Sequence, residues 1–159
     1  MKTYDRAKTV AYAHQWAMLR NNRYLNFENL GGDCTSFASQ CLHAGAGTMN
    51  YTPTTGWFYN TASNRTASWT GVEFLYKFLI NNKGAGPSAT EQSTPEGIKQ
   101  GDIVQLSFDG VKFSHTAVIV ECGRGEILVA AHTYDCDNRP LSSYEYKKLR
   151  FLHINDIVK

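Results

Sequence analysis

The string Gly31-Gly32-Asp33-Cys34-Thr35-Ser36-Phe37 sets a cysteine behind two glycines. Glycines allow a tight approach into a helix, and a cysteine in the first helical turn meets unsatisfied backbone donors and the positive end of the helix dipole, which favour thiolate over thiol. The same amides can hold the oxyanion that develops when sulfur attacks an acyl carbonyl. Asp33 is expected to cap the helix, because a carboxylate facing the sulfur would oppose the thiolate. Gln40 has the right chemistry for a second oxyanion donor, but it lies almost two helical turns beyond Cys34 and is expected to face elsewhere. Cys41 falls inside the apolar stripe of the same helix and reads as a small core residue.

A base for Cys34 follows from strand register. If the strands flanking Gly123-Arg124 form a hairpin in which Glu121 faces Glu126, His115 comes to stand opposite His132. Directly opposed residues share one sheet face with Cβ atoms about 5 Å apart. In that geometry His115 takes the Cys34 proton and later gives one to a leaving amine, while His132 accepts a hydrogen bond from its second nitrogen and fixes the tautomer. Asp33, by adjacency to Cys34, and Asp135, by proximity to His132, are secondary site candidates. Two readings compete: both histidines end strands at a solvated sheet edge, with a one-residue bulge breaking the register, or Cys34 and the histidines bind zinc with Asp135 or Asp137 nearby. The close C-x-x-C pairs of structural zinc sites are absent from the spacing of Cys34, Cys41, Cys122 and Cys136, so neither a metal nor a cofactor is expected. His14, on the inward stripe of a first helix, is expected to be partly buried.

The positioning elements can be placed from periodicity. Ala7, Val10, Ala11, His14, Ala17 and Met18 recur at helical spacing, predicting an amphipathic helix over about residues 4–20. A second helix is predicted from Asp33 or Cys34 to the stop at Gly45 and Gly47, with Phe37, Ala38, Cys41 and Leu42 inward. Residues 45–70 show no durable period, but their rings, among them Tyr51, Trp57 and Trp69, argue for an ordered segment that plugs the core or rims a site. Val72, Leu75, Tyr76, Leu79 and Ile80 predict another helix, and residues 86–100 a connector. From Gly101 the period becomes two: strands are expected at 103–108, 115–121, 126–132 and near 149–154. The fold class is α+β, with N-terminal helices packed on a C-terminal antiparallel sheet.

The chain has 159 residues, 42% hydrophobic and 19% charged, enough for one compact domain over residues 1–159 with a core of its own. A formal net charge of +2 without a basic cluster gives no support for nucleic acid as a partner. No apolar run is long enough for a membrane span or a signal-peptide core, so the expected location is the cytoplasm or outside the cell by another release route. The mechanism these residues outline is attack of Cys34 on an amide, departure of the amine protonated by His115, and hydrolysis of the thioester. A noncatalytic peptide- or glycan-binding module built on the ring-rich 51–69 segment, and a cysteine acyltransferase, are the alternatives.

In ordered combination, Tyr4-Asp5-Arg6-Ala7, Gly32-Asp33-Cys34-Thr35-Ser36-Phe37-Ala38-Ser39-Gln40-Cys41-Leu42, Gly101-Asp102-Ile103-Val104-Gln105-Leu106, His115-Thr116-Ala117 and Ala131-His132-Thr133-Tyr134-Asp135 resemble the putative amidase domain family. That family is placed here among the papain-like cysteine hydrolases that include NlpC/P60 and CHAP domains. The resemblance implies a papain-like fold, Cys34 as nucleophile, His115 as base, His132 as polar third member, and an amide or peptide substrate such as a bacterial cell-wall (peptidoglycan) fragment, without a cofactor.

Overall fold

The computed structural model describes residues 1–158. Helices α1 (Arg6–Trp16), α2 (Cys34–Ala46), α3 (Ala67–Thr70) and α4 (Val72–Asn81) come largely before the main strands. A small hairpin, β1 (Tyr59–Thr61) and β2 (Asn64–Arg65), interrupts them. The strands β3 (Ala89–Gln92), β4 (Ile103–Ser107), β5 (His115–Glu121), β6 (Leu128–Ala131), β7 (Cys136–Pro140) and β8 (Lys148–Ile154) follow. They form one six-stranded sheet in the order β3-β8-β4-β5-β6-β7, antiparallel at every pairing. The α+β class expected from the sequence is what the chain adopts.

The two sheet faces carry different cores. Val118, Val120, Ala130 and Leu152 point to the helices and pack with Phe37, Ala38, Cys41 and Leu42 of α2. Ala117, Ile119, Val129 and Phe151 point the other way, into a second cluster with Leu141. Strand alternation produces this split, since successive side chains leave opposite faces.

The first helix differs from its expected form. It stops at Trp16, and its buried side chains are Thr9 and Ala13, while Met18 and Leu19 beyond it are exposed. His14, expected inward, is exposed and binds Asp137 at 2.8 Å. The cause is the close crossing of α1 on α2: a Cβ on Gly45 would sit 2.7 Å from the Asp5 carbonyl oxygen and would overlap Thr9 Oγ1. Only small side chains fit at that crossing, so Thr9 and Ala13 face α2, while Val10 and Ala17 of the expected stripe, with Trp16, still pack on the core and His14 and Met18 do not.

The 45–70 segment plugs the core. Trp57 and Trp69 are wholly buried, their ring centroids 4.7 Å apart, which removes most of the ring-rich surface that a glycan-binding module would need. Strands β3 and β7 lie in stretches read from the sequence as connector and loop. Both are edge strands, and Cys-Asp-Asn-Arg-Pro in β7 has the polar, proline-containing composition that protects an edge while hiding it from a hydrophobic-pattern search.

The β5–β6 register overturns the opposed-histidine expectation. Val118 pairs with Ala130 and Ile119 with Val129, and the ladder shifts before Glu121 meets Leu128. The Val118 and Ile119 pairings are thus one residue out from the alignment in which Glu121 faces Glu126, and a one-residue change reverses the face of a side chain. His115 leaves on the face of Ala117 and Ile119, whereas His132, two residues after Ala130, faces the helices.

Candidate active site

Cys34 is the first residue of α2. Gly31 and Gly32 before it both take φ of +102°, a backbone state that β-carbon-bearing residues rarely adopt. The turn is tied down from the far side of the sheet's end, where the Asp33 N–H donates to Thr133 Oγ1 at 3.2 Å. Thr133 and Tyr134 are themselves in the left-handed region, at φ 63° and 60°, so both segments meeting at this point hold unusual backbone.

Cys34 is 7% exposed and lines a cleft of about 750 Å³ between the Gly31-Gly32 turn, the start of α4 and residues 111–114. The polar neighbours of its sulfur are the Thr35 hydroxyl, 3.8 Å away, and the N–H of Thr116. Strand β6 has no residue paired with Thr116, so that N–H is available to the sulfur. Burial pushes the Cys34 thiol up, and the Asp33 charge adds to the rise; the Thr116 N–H and the Thr35 hydroxyl and N–H pull it down by less. The thiolate-favouring environment expected from the helix terminus is therefore outweighed by desolvation, and the resting group is a thiol.

His115 opens β5, one residue before the N–H that meets Cys34. Its ring lies 5.5 Å from the Tyr144 ring and 6.3 Å from that of Phe108, centroid to centroid. Burial, reinforced by the Arg139 charge, lowers its pKa to about 4, so the imidazole is neutral at neutral pH. Nε2 is buried without a hydrogen-bond partner. Among the described residues no hydrogen bond joins it to Cys34, in contrast to the direct contact expected from the sequence; the link between the two residues runs through the Thr116 backbone.

His132 does not touch His115. Its Nδ1 stands 2.5 Å from Asp33 Oδ2 and its Nε2 2.8 Å from the Trp16 carbonyl oxygen, and its ring stacks on Phe37 at 4.1 Å. A carbonyl and a carboxylate both accept, so each ring nitrogen faces an acceptor. Both nitrogens are engaged within the fold, and neither is turned toward His115.

Asp33 differs from its expected capping role as well. Its φ and ψ of −106° and 3° lie outside the extended region of a capping residue, and its side chain makes no cap hydrogen bond. Oδ1 instead accepts the Phe27 N–H at 2.9 Å, and Oδ2 lies 3.5 Å from Arg20 Nε. Asp135, expected beside His132, receives both terminal nitrogens of Arg20 at 2.7 and 3.0 Å. It reaches His132 only through Arg20 and Asp33. Gln40 faces α1, accepting from the Tyr12 hydroxyl at 2.6 Å, so it is not an oxyanion donor.

Sequence reasoning missed Thr35, Thr116, Gln105 and Arg150. Thr35 and Thr116 hydroxyls meet at 3.0 Å, Gln105 Nε2 donates to Thr116 Oγ1 at 3.3 Å, and Arg150 Nε donates to Gln105 Oε1 at 2.9 Å. The available signal was a run of polar residues on the helix-facing side of otherwise apolar strands. All four cysteines are free thiols, Cys41 being wholly buried in the core. Among the described residues, no three His, Cys, Asp or Glu side chains gather as a metal-ligand set, and no helix is long and apolar enough to cross a membrane.

A cysteine that opens a core helix, lies beside a central antiparallel strand and borders a cleft defines a mixed α+β protein with a candidate thiol site. The chain belongs to the family described as Putative amidase domain, whose model matches residues 3–155. Membership points to amide hydrolysis as the general chemistry. The chain is similar to the Bacillus subtilis (strain 168) protein named Uncharacterized protein YhbB, 38% identical over 136 residues. That match covers 83% of this chain and 42% of the relative's length. No solved structure matches.

Proposed function

We propose that the chain is a cysteine-dependent amide or peptide hydrolase, with Cys34 as nucleophile and His115 as general base. The observation that carries this reading is Cys34 at the head of α2, lining the cleft with the Thr116 N–H as a polar neighbour, while the residue before Thr116 is an unpartnered, neutral His115.

With a resting thiol and a neutral imidazole, proton transfer accompanies attack. His115 must leave its packing against Tyr144 and Phe108 on the other sheet face and reach the thiol around the start of β5; it then takes the proton, and Sγ adds to the amide carbonyl. The Thr116 N–H stabilises negative charge on sulfur, and free first-turn amides of α2 are suited to the oxyanion. An imidazolium that loses its proton as readily as His115 does is a strong acid for the departing amine. Water then hydrolyses the thioester, with His115 again as base. His132 and Asp33 act as positioning residues, fixing the turn that presents Cys34.

The papain-like relationship and a bacterial cell-wall peptide as substrate belong to the same proposal; the helix-on-antiparallel-sheet setting of Cys34 supports the first, and the amide chemistry of the family is compatible with the second. The test is incubation with a mixed set of cell-wall fragments and acyl peptides, with released amines and protein adducts read by mass. Turnover lost in Cys34→Ala with substrate binding kept, and an acyl adduct on Cys34 in the wild type, are the expected results. Full turnover by Cys34→Ala overturns the reading, and a product in which an amine replaces water assigns acyl transfer instead.

A further inference from the structure

The cleft bordered by Cys34 is also bordered by Arg150. This side chain on β8 is only 8% exposed. Its guanidinium carbon lies 3.4 Å from the centre of the Tyr76 ring and 4.0 Å from that of Phe113. Nε donates to Gln105 Oε1 and Nη2 to Glu73 Oε2, both at 2.9 Å. Nη1 has no protein partner among the described residues.

A guanidinium at this depth is costly unless an anion balances it. Glu73 does so weakly, because its side chain is 49% exposed and water screens the pair. The rings and Gln105 hold the fork in one orientation, and Arg presents its donors in the plane that a carboxylate matches. Lys112, exposed on the same cleft, forms no ion pair among the described residues. The fork is also tied to the sulfur's surroundings, since Gln105 bonds Thr116 and Thr116 bonds Thr35.

We infer that Arg150, with Lys112, forms a carboxylate-binding subsite, so that the cleft selects acyl peptides carrying an anionic group close to the amide at Cys34. The location of that amide rests on the hydrolase reading; the carboxylate subsite itself is tested without turnover.

The experiment measures binding to Cys34→Ala protein by calorimetry. The probes are the N-acetyl N-methylamides of aspartate and glutamate, each set against its neutral counterpart from asparagine and glutamine. At least one acidic probe should bind about tenfold or more tightly than its neutral partner, the scale of a charge-assisted forked contact. That advantage should fall to within about twofold in Arg150→Gln, and several-fold in Lys112→Glu, a surface change that keeps the fold should Arg150→Gln not. Equal affinities within both pairs, no binding of any probe, or an advantage unchanged in Lys112→Glu overturns the subsite. Failure of the hydrolase reading is a separate result, turnover by Cys34→Ala, and leaves these affinities untouched.

Discussion

Asp33 Oδ2 and His132 Nδ1 stand 2.5 Å apart across 99 residues of sequence, each side chain 1% exposed. This contact joins the turn before Cys34 to the end of β6, and the Trp16 carbonyl on the ring's other nitrogen adds the end of α1. Three segments distant in the chain are thereby joined through one buried imidazole.

Removing one member of a buried hydrogen-bonded pair leaves the other's polar atoms unsatisfied, at a cost of about 1–3 kcal/mol. Asp33→Ala should lose stability on that scale in urea unfolding. His132→Ala should lose a similar amount, and the double variant less than the sum of the two, because the singles share one interaction.

His115 makes stability depend on pH in a defined direction. Its folded-state pKa of about 4 lies below the ordinary 6.5, so the unfolded chain binds the proton first. The neutral ring's contribution is complete above pH 6.5 and is lost as the pH falls toward 4, by about 3 kcal/mol in all. Urea midpoints for wild type and His115→Gln should therefore converge over that window, or cross, as acid is added; parallel profiles would count against a buried neutral ring.

Cys34 should ionise above the ordinary thiol range, because burial is the largest influence on it. Its alkylation by iodoacetamide, followed by peptide mass, should still be rising at pH 9. Thr35→Val removes a hydroxyl that favours the thiolate and should move the profile higher still. A plateau reached near neutral pH would mean that a thiolate is already present.

Gly45→Ala tests the α1–α2 crossing. The added Cβ meets the Asp5 carbonyl at 2.7 Å as well as Thr9 and Tyr4, so a loss of about 3 kcal/mol is expected. Thermal unfolding measures it, and a neutral effect would show that the helices separate freely.

The legible parts of the molecule were those governed by local chemistry. The glycine pair and the apolar stripe after Cys34 placed α2, and alternation placed β4, β5 and most of β8. The α1 face is only partly legible: Val10 and Ala17 pack on the core as expected, but the closeness of α2 selects Thr9 and Ala13 for burial and leaves His14 and Met18 outside. Edge strands β3 and β7 escaped because an edge needs no apolar alternation.

By itself, the sequence determined that a cysteine stands at a helix head, that two histidines follow near strand ends, and that helices precede an antiparallel sheet. Those features depend on residues adjacent in the chain. Only the tertiary structure decided that His132 serves Asp33 rather than His115, that Asp135 holds Arg20, and that Arg150 reaches the cleft of Cys34. The physical reason is register: a ladder displaced by one residue turns a side chain to the opposite face, and burial at the resulting position decides its charge.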